Sequence, residues 1–238
     1  FIPVIIISAA LAFWLGTLIT KPAESPVSLP QLTESKIIES KIVAVDANNK
    51  GVSADLITEV RPGTGLVLVN INDVLADLNM QVSARVAAKV AGEYALKNMS
   101  QYDVLYRIKT DAEIVGGQSA GSSMAAATIA ALLNLPLRPN VILTGPMLED
   151  GTITEAGAVI QKAEAAKSLN VSLFLVPKGG NEGFVGYTRK KDCTPVEQGT
   201  YCTVRTVEQK ANIAEIVGIS MQEVEDITDA MRYMTWFT

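Results

Sequence analysis

Near the middle of this chain lies a Gly-x-Ser-x-Gly signature, Gly117-Gln118-Ser119-Ala120-Gly121, and the chain contains no histidine. Glycines on either side of a serine let the backbone turn sharply and come close to a substrate carbonyl. A serine hydroxyl attacks poorly until a neighbouring base takes its proton. Histidine is the usual base, so a Ser-His-Asp triad is impossible here, and an α/β-hydrolase esterase goes with it. A lysine held partly neutral by burial is the leading alternative. On the five-residue motif alone, a glycine-rich loop with an ordinary serine N-cap is the simpler reading.

The surrounding pattern supplies elements that would hold such a site. Lys41–Ala47 alternates and reads as a strand, and Gly65–Asn72 as another, introduced by the turn signal Arg61-Pro62-Gly63-Thr64-Gly65. Val82, Val86, Val90, Tyr94 and Ala95 recur at helical spacing across Gln81–Met99. A strand is expected at Tyr102–Thr110, a buried alanine-rich helix at Ser119–Leu133, and a short strand at Val141–Thr144. A helix over Gly157–Ser168 and an apolar strand over Val171–Val176 follow. Ser220 and Glu223 form a Ser-x-x-Glu capping box for a last helix over about 220–233. Interleaved strands and helices place the fold in the α/β (mixed α+β) class.

With 48% hydrophobic residues over 238 positions, the chain can bury one sizeable core. Its net charge is −5 and no basic cluster exceeds Arg189-Lys190-Lys191, so nucleic acid is not an expected partner. Residues 1–20 carry no charged side chain. Twenty helical residues span about 30 Å, the thickness of a bilayer core, and the segment reads as a retained membrane anchor. Its opening, Phe1-Ile2-Pro3-Val4-Ile5-Ile6-Ile7, also resembles the mature start of archaeal type IV pilins, whose hydrophobic helix packs into a filament core. Residues 21–35 hold three prolines and three serines and read as a linker to a domain over 36–238. Cys193 and Cys202 lie in a polar hairpin with Pro195 and Gly199. A disulfide between them is expected, with free thiols as the alternative, and it would place the domain outside the cytoplasm. No Cys-x-x-Cys or Cys/His pattern occurs, so neither metal nor cofactor is expected.

A longer stretch carries a more specific signal. After the serine motif and its alanine-rich helix come Leu143-Thr144-Gly145, then Asp150-Gly151, then Gly157-Ala158-Val159-Ile160-Gln161-Lys162, then Ala165-Ala166, then Leu173-Phe174-Leu175-Val176-Pro177. In that unbroken order, over Lys41–Gly179, the chain resembles the proteolytic domain of the Lon (S16) protease family. The resemblance implies Ser119 as nucleophile and Lys162 as general base, with Thr144 supporting the lysine and Gly117, Gln118 and Ala120 shaping the nucleophile turn. Lys167, the nearest competitor, follows Ala165-Ala166, where the family pattern does not place the base. Two positions depart from that pattern: Gly116 stands where an acid usually precedes the serine motif, and Pro146 where Glu usually follows Thr-Gly.

No Gly-x-x-x-x-Gly-Lys-Ser/Thr loop occurs, so these residues carry no ATPase of their own. The combined expectation is a membrane-anchored, ATP-independent serine endopeptidase cutting unfolded or flexible polypeptides. An extended substrate would add to a strand edge, with Gly65–Asn72 as the expected strand. Lon-like domains form rings, which implies a homo-oligomer. The alternative is a structural subunit of a pilin-like extracellular filament with a Lon-like head. Residues 180–212 fall outside the resemblance, and an oligomer interface, a substrate entrance and a plain decorated loop all fit them.

Overall fold

The computed structural model describes residues 32–73, 75–110, 114–115 and 117–236. The expected anchor over 1–20, most of the expected linker, and Gly116 lie outside the described residues. Among the described residues no helix is long and apolar enough to cross a membrane.

The strands are, in chain order, β1 (Lys36–Val45), β2 (Gly51–Pro62), β3 (Val67–Val69), β4 (Leu75–Ala76), β5 (Tyr102–Lys109) and β6 (Ile114–Val115). They continue with β7 (Val141–Leu143), β8 (Leu173–Pro177), β9 (Glu182–Val196), β10 (Gly199–Asn212) and β11 (Met221–Val224). The helices are α1 (Leu78–Ala95), α2 (Gly121–Leu133), α3 (Val159–Ser168), α4 (Ile213–Val217) and α5 (Ile227–Met234).

One sheet has the order β1-β2-β5-β3, antiparallel except for the β3–β5 pair. β2 is absent from the sequence reading, which took Arg61-Pro62 for a turn. Its residues Ala54, Leu56, Thr58 and Val60 alternate inward and are buried, the period-2 pattern of a strand with one face in a core. Pro62 is accommodated because it is the last residue of that strand. A second sheet, β11-β8-β7, is parallel throughout, and α3 forms the crossover from β7 to β8. Between the layers runs α2, buried from Gly121 to Leu132. Its alanines have no bulk to hold neighbours away, so α1, β1 and β2 all pack directly on it. α3 lies in a second apolar cluster with Val43, Ile142, Phe174, Val176 and Ile213.

At two of the helix starts that differ from the expected ones, a side chain decides the difference by capping or failing to cap. α1 begins at Leu78, three residues before Gln81, because the Asp77 carboxylate accepts the Met80 amide at 2.7 Å. Ser220 and Glu223 do not cap a helix. The Ser220 carbonyl accepts the Phe174 amide at 2.9 Å, and the Glu223 carboxylate accepts the Asn181 amide at 3.1 Å. Residues 221–224 are thereby drawn into the parallel sheet beside β8, and the last helix starts only after Asp226, whose carboxylate caps Asp229 at 2.8 Å.

Residues 180–212 form a long antiparallel ribbon, β9–β10, inserted in the connection from β8 to β11. Cys193 and Cys202 face each other across it and are disulfide-bonded. Most of the ribbon is exposed, Tyr187 by 68% and Tyr201 by 64%, while Gly183 at its base packs toward Ile160 and Ile213. A two-stranded ribbon is marginally stable in water, and closing a loop of this length removes about 2–3 kcal/mol of unfolded-state entropy. That stabilisation stays local, because the outer ribbon adds nothing to either core cluster. In the Cys193→Ser/Cys202→Ser variant, amide exchange should accelerate across residues 188–206 while the Tm of the domain stays within about 2 °C. A collapse of Tm would mean that the ribbon supports the core.

Candidate active site

The nucleophile turn is built from backbone. Gly117 has φ +91°, a conformation costly to any residue with a Cβ. Ser119 lies in the turn that follows, and α2 starts two residues later, so Ser119 is not the helix N-cap; Ala120 occupies that position and makes no side-chain cap. The turn is tied to the end of β7. The Gly145 amide donates to the Ser119 carbonyl at 2.9 Å, the Ser122 amide donates to the Gly145 carbonyl at 3.3 Å, and the Ser123 hydroxyl donates to the Leu143 carbonyl at 2.6 Å. Such contact needs a glycine: a Cβ on Gly145 would lie 2.5 Å from Ile153 Cγ2 and 2.9 Å from Pro177 Cγ. Thr144 is 1% exposed, and its hydroxyl reaches the Ser119 carbonyl at 3.5 Å, the limit of a hydrogen bond. The hydroxyl therefore braces the nucleophile turn; no bond from it to Lys162 occurs among the described residues.

Lys162 is on α3, whose N-cap is Ala158 in the left-handed region at φ +55°. The side chain is 5% exposed. Among the described residues it has no hydrogen-bond or ion-pair partner, and burial alone draws its ammonium down from the usual lysine range to about 8. The competitor, Lys167, donates to the Val217 carbonyl at 2.6 Å and so fastens α3 to α4.

Ser119 and Lys162 line one groove of about 480 Å³, together with Gln118, Gly117, Pro146 and Ala158. Ala44 and Val45, the end of the edge strand β1, form another wall, and no carboxylate lines it among the described residues. A larger cavity of about 610 Å³ lies between α1 and the β3–β5 pair. It holds neither Ser119 nor Lys162, and the smaller groove is the candidate site because it brings that serine and that lysine together. Gly65 and Val67 line that larger cavity rather than the groove, so β1 replaces Gly65–Asn72 as the strand edge beside the serine. The amides of Gly121 and Ser122 are already bonded, to the Gln118 and Gly145 carbonyls, whereas those of Ser119 and Ala120 have no partner among the described residues. Ala158, from the segment leading to Lys162, also reaches the groove, as does Asn79, which the sequence reading does not single out. Asp77 ahead of the periodic residues of α1 is the signal for Asn79. Cys193 and Cys202 are on the ribbon, away from this groove. Among the described residues no cluster of acids or cysteines is arranged to hold a metal.

A family model of the Lon protease (S16) C-terminal proteolytic domain matches residues 55–187, more than half of the chain. The chain belongs to the Lon protease family. Archaeal Lon protease of Archaeoglobus fulgidus is 28% identical over 142 residues, covering 57% of this chain and 22% of the relative. Archaeal Lon protease of Thermococcus kodakarensis is 29% identical over 152 residues, covering 64% of this chain and 22% of the relative. A longer match, 25% over 197 residues and 79% of this chain, links it to archaeal Lon protease of Methanothermobacter thermautotrophicus, 29% of which is covered. This Lon-type protease domain thus spans between a fifth and a third of the length of those relatives. The match to the family model ends just inside β9, so most of the ribbon lies beyond it.

Proposed function

We propose that the domain is a serine endopeptidase with a Ser119–Lys162 dyad, acting on unfolded or flexible polypeptides. The observation that carries this reading is Lys162, buried without a counter-charge in the same groove as Ser119. Neutral Lys162 takes the hydroxyl proton as Ser119 Oγ attacks the peptide carbonyl. The Ser119 and Ala120 amides, at the positive end of α2, hold the oxyanion. The resulting ammonium gives its proton to the departing amine, and a water activated by Lys162 then hydrolyses the acyl-enzyme. An extended substrate lies along the end of β1 at Ala44 and Val45. On this reading residues 1–20 anchor the protein in a membrane, the domain works outside the cytoplasm, a compartment in which a disulfide such as Cys193–Cys202 persists, and the domain assembles with copies of itself.

A fluorophosphonate probe is the direct test. Ser119 should become labelled in wild type, and Ser119→Ala should lose both labelling and peptide hydrolysis. Labelling of a different serine would overturn the assignment. Because the base works only when neutral, kcat/KM should rise with pH along an apparent pKa of about 8 and level off above it. A profile flat from pH 6 to 10 would remove Lys162 from the base role.

A further inference from the structure

Where an acid usually precedes the serine motif, this chain has Gly116, and the described groove lining contains no carboxylate. A carboxylate nevertheless reaches the nucleophile turn from a different element. Asp77 follows β4 and precedes α1, and its two oxygens have separate tasks. Oδ1 accepts the Met80 amide at 2.7 Å and caps α1. Oδ2 accepts the Gly117 amide at 3.2 Å, forty positions along the chain and two before Ser119. The same Oδ2 also meets Asn79 Nδ2 at 3.5 Å, and Asn79 lines the groove.

Resting on the peptidase reading, we propose that Asp77 is a positioning residue for catalysis, a clasp that fixes the turn carrying Ser119. The turn needs one. A Cβ placed on Gly117 would meet nothing within 4 Å, so its φ of +91° is not imposed by a close approach on that face. The Ser119 carbonyl is tied on the downstream side by Gly145, and the Asp77–Gly117 bond is its upstream counterpart. The strand pair β4–β6 runs parallel just before both residues, so the clasp and the turn are delivered side by side. An anionic acceptor strengthens the bond to a backbone amide, and the bond holds the Ser119 and Ala120 amides in the direction an oxyanion requires.

Two substitutions separate this role from helix capping. Serine is a good N-cap but its side chain is one atom too short to reach Gly117 as well. Asparagine has the length but a single acceptor oxygen, so with that oxygen capping Met80 its Nδ2 donor faces the Gly117 amide and no bond forms there. In the whole 238-residue chain, Asp77→Ser should keep the wild-type Tm within about 3 °C, lose exchange protection at the Gly117 amide, and slow fluorophosphonate labelling of Ser119 by ~30- to 100-fold. Its kcat on a peptide substrate should fall while KM holds. Asp77→Asn should also keep the cap and the Tm yet slow labelling at least as much as Asp77→Ser; labelling within ~3-fold of wild type in Asp77→Asn would overturn the clasp. Unchanged protection at Gly117 in Asp77→Ser overturns the clasp, and lost protection with wild-type labelling overturns its catalytic role. If wild type itself fails to label, the peptidase reading fails instead, and the exchange measurement still decides whether Asp77 holds the turn.

Discussion

Lys162→Met should abolish Ser119 labelling and peptide hydrolysis, by ~10³-fold or more, and should make the domain harder to unfold at pH 7. The two effects have one cause. The folded protein lowers the pKa of Lys162 to about 8 from 10.5, so below pH 8 folding must either desolvate the ammonium or strip its proton. One pKa unit corresponds to about 1.4 kcal/mol, which makes this penalty about 3 kcal/mol. The sign follows from proton counting. Between pH 8 and 10.5 the unfolded chain holds more protons than the folded one, so wild-type stability rises across that window. The burden is full below it and absent above it. Methionine fills the same volume with no charge to desolvate, so its advantage in Tm should be largest near pH 7 and fade as pH approaches 10.5. A gap independent of pH would mean that Lys162 is not desolvated as described.

Gly51→Ala should be the most damaging single-methyl change in the domain outside the groove. Gly51 opens β2 against the flank of α3. A Cβ there would lie 1.9 Å from the Gln161 carbonyl oxygen and 2.7 Å from its carbon. These are main-chain atoms of the helix, immediately before Lys162, and no rotamer change can move them aside. The helix itself must retreat. A loss of about 3 kcal/mol in stability is expected from overpacking of this kind. An ångström of displacement at the base should also cost ~100-fold in kcat. The neighbouring Ser53 is exposed, so Ser53→Ala should leave both quantities within error of wild type. A Gly51→Ala variant with wild-type kcat would show that α3 can shift without moving Lys162.

Much of the candidate site is legible along the chain because its parts are local. The serine motif, the Thr144-Gly145 pair and the helix of Lys162 are each short contiguous segments whose residue types express a local requirement. Gly117 answers a positive φ, Gly145 answers a close approach, and the alanines of α2 answer burial on all sides. The absence of histidine does the rest, since it leaves lysine as the candidate base. The interleaved strand and helix periods give the α/β class in the same way.

Other features depend on which segments meet, and no local pattern carries that information. Ser220-x-x-Glu223 satisfies the chemistry of a capping box, yet both residues are taken by distant partners, Phe174 and Asn181. Unmade ladder bonds on β8 outweigh one helical cap, because each buried amide or carbonyl left unpaired costs more than a cap contributes. Asp77 looks like a plain helix start, and only the pairing of β4 with β6 brings its second oxygen to Gly117. The end of β1, not Gly65–Asn72, borders the groove because the sheet order β1-β2-β5-β3 puts those two strands at opposite edges. By itself, then, the sequence determined the family and the candidate reacting groups in their order along the chain. Tertiary structure alone decided the burial that lowers the Lys162 pKa, the strand edge open beside Ser119 and the acid that reaches its turn, because desolvation and hydrogen-bond partners are set by segments far apart in the chain.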